Sequence, residues 1–322
     1  MRQCKSIGEI TVNFEPTKLD NYVGQENVKN SIRVSMQAAK IRKESFPHVL
    51  LHGASGLGKT TLANLIAKEF KSKCTTLLAP TISSHDIIYD ALENCKKNDF
   101  IFIDEVHALP RVLQETVYTA MTDRKIERKD QWGSYQVDLK PFTCLTATTE
   151  LGELAAPFRE RFGFIIPLDN YSYEEMEEII LMNAKKLKYK ITSDALKDIS
   201  HASRRNPRTA NRLLDRCHDT ATVARTKTLD NQIVDETLHN LQIEKNGLTI
   251  YDIRILQTLV YKFAGKPTGL KTLAMSTGID EKAIESTYEP WLIELDLLER
   301  SSRGRVITKE GILYIAENHK KN

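Results

Sequence analysis

The stretch His48 to Thr61, HVLLHGASGLGKTT, holds Gly53, four residues, then Gly58-Lys59-Thr60, the GxxxxGK[ST] spacing of a phosphate-binding loop. These residue types suit one task. Gly53, Gly56 and Gly58 let the backbone turn so that successive N–H groups aim at phosphate oxygens. A helix starting near Lys59 adds the positive end of its dipole. Lys59 can then reach β- and γ-phosphates, and the Thr60 hydroxyl can take one Mg²⁺ position. About 45 residues on, Phe100-Ile101-Phe102-Ile103 runs into Asp104-Glu105. A buried parallel strand would deliver those acids at its carboxyl end, where ligands of such sheets bind. Asp104 would hold Mg²⁺ through water and Glu105 would orient and polarise an attacking water. A strand followed by a solvated acidic turn is the plain alternative, and the upstream loop weighs against it.

Other charged residues are ambiguous by spacing alone. Arg159 and Arg161, in LGELAAPFRERFG, are either a solvated face or groups that reach a neighbouring subunit's γ-phosphate. Arg300, Arg303, Arg305 and Lys309 cluster near the C-terminus, as a solvated run or as phosphate contacts on a wing. Trp132 sits between two polar, strand-compatible arms in residues 124–140, a hairpin signal.

Positioning these residues calls for alternating strands and helices. Strands are expected at His48–His52, Cys74–Ala79, Phe100–Ile103, Phe142–Thr148 and Phe164–Leu168, with helices after the phosphate loop, at Ser84–Cys95 (Ser84 as N-cap) and at Arg111–Met121. An earlier helix carries Val28, Ile32, Met36 and Ala39 at helical spacing. That alternation predicts an α/β fold, a parallel sheet with helices on both faces. From Tyr173 the chain reads as helices only: Tyr173–Lys188, Ser193–Ser203, Asn206–Ala224 and Asp230–Leu241. From about Gly247, three helical stretches (Thr249–Phe263, Leu270–Ser276, Glu281–Leu297) and a strand-turn-strand with Ser301-Ser302-Arg303-Gly304 at its tip describe a winged helix. The expected domains are therefore 1–170, 171–245 and 246–322, with residues 1–13 carrying little pattern.

The 322 residues allow two or three cores, and a net charge of +3 permits a nucleic-acid partner without demanding one. The five cysteines (Cys4, Cys74, Cys95, Cys144, Cys217) show no metal-ligand spacing. Cys74 and Cys144 read as buried free thiols, which suits a reducing cytoplasm. No apolar run is long enough to cross a membrane, and no signal peptide opens the chain.

Over residues 14–316 the sequence resembles the AAA+ ATPases and, within them, the RuvB family of Holliday-junction branch-migration motors. GLGKTTLANLIA, FIDEVHALP, APFRERFG, NPRTANRLLDR and YEPWLIELDLLERSSRGRV carry the likeness. It implies an AAA+ P-loop domain, a helical lid and a winged helix, forming a ring, taken as a hexamer, that hydrolyses ATP with Mg²⁺ and moves the arms of four-way DNA junctions. It further implies that Gly56, Lys59, Thr60 and Thr61 bind phosphates and metal, with Asp104 and Glu105 catalytic. Thr148 or Thr149 would sense the γ-phosphate. Arg161 would be the arginine finger, with Arg159 beside it, and Arg208 the second sensor. Phe14, Glu15, Tyr22, Val23 and Tyr171 would lie around the nucleotide, with Phe14, Tyr22 and Val23 lining the adenine pocket. Arg300, Arg303 and Arg305 would contact DNA, and the 124–140 hairpin would dock on a RuvA-like junction-binding subunit. Glu15, Ala54-Ser55 and Glu150 stand where the family usually has Arg, Pro-Pro and Arg, as in a diverged or mobile-element relative that works without the usual RuvA or with a different one. A nucleotide-switched DNA-binding initiator and a clamp-loader-type subunit are the competing readings. ATP turnover coupled to movement of branched DNA separates the motor from both.

Overall fold

A computed structural model describes residues 14–319, with the side chains of Lys129 and Asp130 excepted. Cys4 and the patternless lead-in 1–13 lie outside the described residues. The chain divides into two compact units. One runs to Ile179 and takes in Asn206–Asn211; the other holds Ile180–Arg205 and the chain from Arg212 on.

The first unit follows the expected alternation. It contains α1 (Glu26–Arg42), β1 (Val49–His52), α2 (Lys59–Glu69), β2 (Cys74–Leu78), α3 (His85–Glu93), β3 (Phe100–Asp104), α4 (Arg111–Asp123), β4 (Lys125–Asp130), β5 (Gly133–Asp138), β6 (Thr143–Thr148), α5 (Ala156–Arg159), β7 (Phe164–Pro167) and the start of α6 (Tyr173–Lys186). Five strands pair in the order β2-β3-β6-β1-β7, and every pairing is parallel. Strands this buried read as continuous apolar runs because both faces are covered: Val49, Leu50 and Leu51, and Phe100 to Ile103, are all buried. On α1, Ile32, Met36 and Ala39 face the core as their spacing requires. Ser84 does precede α3, but its side chain makes no cap bond.

The arms around Trp132 form the expected antiparallel ribbon, β4 against β5, with Lys125 opposite Asp138 and Asp130 opposite Gly133. The turn is Gln131-Trp132, and Gly133 already belongs to β5. Arg128, opposite Tyr135 midway along the ribbon, braces it: its guanidinium binds Asp90 and Glu93 on α3 at 2.6 Å each and lies over the Tyr89 ring.

The second unit begins within α6 and continues through β8 (Lys190–Ile191), α7 (Ser193–Ala202), the part of α8 (Pro207–Val223) from Arg212 on, β9 (Thr228–Leu229) and α9 (Asn231–Leu241). Then come α10 (Ile250–Gln257), α11 (Leu270–Thr277), α12 (Glu281–Ala283), α13 (Glu289–Glu294), β10 (Leu298–Ser301), β11 (Gly304–Ile307) and α14 (Lys309–Asn318). Two stretches expected as continuous helices are interrupted by wider π turns, at Thr258–Lys262 and Ile284–Tyr288. The wing pairs Arg300 with Arg305 and has Ser302-Arg303 at its tip. Thr268 exchanges two backbone hydrogen bonds with Arg305, a one-residue bridge at the edge of the two-stranded wing. Lys309, expected on the wing, instead opens α14, a helix the sequence reading did not include. Trp291, Leu292 and Ile315 anchor this core, with the Trp291 indole N–H on the Asn246 carbonyl at 3.0 Å.

Among the described residues, Cys74, Cys95, Cys144 and Cys217 are free thiols, Cys74 only partly buried and the others buried. No described helix is long and apolar enough to cross a membrane.

Candidate active site

β3, β6 and β1 are consecutive in the sheet, so their carboxyl ends lie side by side. His52 stands opposite Thr148, and Ile103 opposite Thr146. The phosphate loop leaves β1 there, Asp104 ends β3, and Thr148-Thr149 ends β6. The topology thus brings together three segments that are distant in sequence.

In the loop, Gly53, Gly56 and Gly58 all have positive φ (148°, 86° and 91°). At Gly56 the constraint is also steric, because a Cβ would run into the Asn206 side chain. Lys59 is buried, and its Nζ donates to the carbonyls of Gly53 and Ala54 at 2.8 and 2.9 Å. Burial lowers its pKa, while Glu105 and then Asp104 pull the other way. The Thr60 hydroxyl donates to Asp104 Oδ2 at 2.7 Å. A hydroxyl and a carboxylate side by side are hard oxygen donors, so the donor set fits Mg²⁺. Thr61 follows on α2, partly buried.

Glu105 adopts a left-handed backbone, φ 52°, sparsely populated for a residue with a side chain. The Thr149 hydroxyl donates to its Oε2 at 3.3 Å, and His107 Nδ1 lies 3.5 Å from that same oxygen. The two threonines, equivalent by spacing, differ in place. Thr148 is buried, with its hydroxyl 3.1 Å from His107 Nδ1 and accepting the Glu150 N–H at 3.0 Å. Thr149 is the one beside Glu105. Sequence reading missed His107, although it lies in the FIDEVHALP stretch.

Tyr22 and Tyr171 are both buried, with hydroxyls 3.1 Å apart and each 3.2 Å from the Leu57 carbonyl of the loop. Burial pushes both phenols up, Tyr171 to about 12. Phe14 and Val23 are partly buried and Glu15 is exposed. Arg208 Nη1 donates to the Ser55 hydroxyl at 3.0 Å, and Asn206 Nδ2 to the Ser55 carbonyl at 2.7 Å. Asn206 Oδ1 also accepts from the backbone N–H groups of Arg208 and Thr209, capping α8. An Asn before Pro at a helix start was a legible capping signal; its hold on the phosphate loop was not. Ser55 thus offers Arg208 a hydroxyl that a proline there would lack.

Arg159 and Arg161 do not join this cluster. Arg161 is exposed and bonds Tyr118 Oη at 2.6 Å; Arg159 is partly buried, and its Nε has no hydrogen-bond partner. On the wing, Arg303 is exposed at the tip. Arg300 and Arg305 instead grip Glu289, a buried carboxylate 1% exposed: Arg300 Nε at 2.6 Å and Arg305 Nε at 3.1 Å on Oε1, with their Nη2 atoms on Oε2. That contact raises the Arg300 pKa further.

Profiles of three protein families match successive parts of the chain between residues 14 and 316. The Holliday junction DNA helicase RuvB P-loop domain covers residues 14–168, the RuvB AAA lid domain 171–244, and the RuvB C-terminal winged helix domain 245–316. The RuvB subunit of the Holliday junction branch migration complex from Kosmotoga olearia is 39% identical over 317 residues, 97% of this chain and 93% of its own length. Its counterpart from Salinibacter ruber is 40% identical over 306 residues, 94% of this chain and 89% of its own. The solved Thermotoga maritima RuvB Holliday junction branch migration motor superposes with a TM-score of 0.83 at 36% identity, covering 96% of this chain and 99% of that one. With the phosphate loop, the acid pair after β3 and the wing all in place, the chain belongs to the RuvB family.

Proposed function

We propose that the protein is an ATP-driven motor that moves the arms of four-way DNA junctions during recombination and repair, working as a ring of identical subunits, taken as six. Its domains are the P-loop domain to about residue 170, a lid to 245 and a winged helix beyond. The observation that carries this reading is the cluster of Lys59, Thr60, Asp104 and Glu105 at adjoining strand ends, in a chain that matches RuvB domain models from residue 14 to 316.

ATP is the substrate. The loop's N–H groups hold the phosphates, and Lys59 exchanges its two carbonyl acceptors for phosphate oxygens. Thr60 and Asp104 hold Mg²⁺, which when bound neutralises charge on the β- and γ-phosphate oxygens. Glu105 orients the attacking water. Thr149 senses the γ-phosphate, and Thr148 backs it through His107. Tyr22, Val23 and Phe14 flank the base beside Tyr171, and Arg208 reports on the bound nucleotide from α8. Arg161 acts on a neighbouring subunit's nucleotide, with Arg159 beside it. The winged helix holds DNA by phosphate contacts, through Arg303 and the wing around Arg300 and Arg305, because a motor indifferent to sequence must grip the backbone. The β4–β5 ribbon docks a RuvA-like junction-binding subunit, and free thiols suit the cytoplasm.

The test is turnover with a four-way junction and ATP. Glu105→Gln keeps size and polarity but removes the carboxylate, so nucleotide binding should persist while junction-stimulated hydrolysis and arm movement are lost. Wild-type turnover in that variant would remove Glu105 from the mechanism. ATP-dependent DNA binding by the unaltered protein, with negligible turnover and no arm movement, would make it a nucleotide switch and not a motor.

A further inference from the structure

Arg161 is held at both ends. At its base, Phe158 and Phe162 are buried and meet edge to face, with centroids 5.2 Å apart and planes at 84°. At its tip, the guanidinium carbon lies 4.7 Å from the centroid of the Tyr118 ring, and Nη2 donates to Tyr118 Oη at 2.6 Å. The Tyr118 ring is itself partly buried, packed against the core to which α4 contributes Val117, Ala120 and Met121.

An arginine that acts across a subunit boundary faces a particular problem. It is long, charged and flexible, and any freedom lost when it meets the phosphate is subtracted from the rate. A tyrosine ring and hydroxyl together supply a cation–π contact and a hydrogen-bond acceptor for a guanidinium. They occupy one of its five N–H donors and leave the others for phosphate oxygens.

We propose that Tyr118 is the positioning residue of the arginine finger: it pre-orders Arg161 on its own subunit before that arginine meets the neighbour's nucleotide. This rests on the reading of Arg161 given above. Tyr118 touches no nucleotide and acts only through Arg161.

The full-length protein with junction DNA and ATP provides the test. Tyr118→Leu should lower kcat by roughly ten-fold, the scale of the two lost contacts, with KM for ATP little changed because that subunit's own nucleotide site is intact. Tyr118→Phe, which keeps the ring, should fall in between. Tyr118→Leu/Arg161→Ala should be no slower than Arg161→Ala alone. Mixed with Lys59→Ala subunits, which contribute intact fingers, Tyr118→Leu should regain turnover at sites facing those fingers. Wild-type or faster turnover in Tyr118→Leu overturns the proposal, as do losses that multiply in the double variant. If the leucine variant fails to fold, judged by its melting curve, Tyr118→Phe decides, and wild-type turnover there overturns the proposal equally. A fully active Arg161→Ala would instead remove the finger reading itself, whatever Tyr118 does.

Discussion

The backbone N–H of Cys144 donates to His48 Nδ1 at 2.8 Å, so that nitrogen must be unprotonated in the folded protein. Burial, reinforced by the charge on Arg124, lowers the His48 pKa to about 4, against an opposing hydrogen bond with the Met121 backbone. An unfolded chain takes up this proton near pH 6.5, well before the folded one does. The associated stability is therefore complete above pH 6.5 and is lost as pH falls from 6.5 to 4, by on the order of 3 kcal/mol in all. His48→Asn puts an amide oxygen where Nδ1 sits and cannot be protonated. Its melting temperature should fall less steeply than wild type across that window; parallel slopes would place the acid sensitivity elsewhere. The chemistry at this scale was only partly legible. GxxxxGKT and the acid pair after Ile103 are short-range patterns, and they read correctly as a loop and a strand end. The contact of His107 with Thr148 joins residues 41 apart, and that of Arg161 with Tyr118 joins residues 43 apart. Spacing along a chain says nothing about such pairs, which exist only once the sheet order is set.

Among the elements, the wing and the ribbon each separate holding from contacting. Arg300 and Arg305 share the carboxylate of Glu289, so replacing both would strand a buried charge, at a cost of about 3–5 kcal/mol. A weaker grip on DNA in that double variant would mix lost contacts with a damaged fold. Arg303 at the tip carries no such duty. Arg303→Ala should keep the wild-type melting temperature, weaken binding equally on unrelated duplexes, and flatten the slope of log K against log salt by roughly 0.9. An unchanged salt slope would mean that the tip faces solvent or protein. On the ribbon, Trp132 is 86% exposed, while Arg128 fastens the middle of β4 to α3. Trp132→Ala should leave basal ATPase unaltered and weaken capture by a RuvA-type subunit, measured by pull-down with junction DNA; equal capture would put the docking surface elsewhere. α14 shows why one element escaped the sequence reading. Gly311 breaks its helical pattern, yet a Cβ there would strike the Leu297 carbonyl, so close packing required the residue that blurred the signal.

For the molecule as a whole, the strand–helix alternation and the change to helices after β7 were open to inspection because each rests on local periodicity. Membership of the compact units was not. Asn206–Asn211 belongs with the phosphate-loop unit although its chain neighbours on both sides belong to the other, and hydrogen bonds from Asn206 and Arg208 to Ser55 account for that. The strand order has a further consequence, for biogenesis. Among the described residues β1, which launches the phosphate loop, has only β6 and β7 as partners, Val49 lying opposite Leu145 and Phe164. A ribosome adding about 5–20 residues per second makes those partners several seconds after β1 has been made. During that interval an apolar strand and a glycine-rich loop wait without a sheet to join. Nascent chains arrested after β5 should therefore fail to retain ATP and should recruit holding chaperones, whereas chains arrested well beyond β7 should bind it. The order in which the strands are translated thus delays the nucleotide grip until the last of them leaves the exit tunnel.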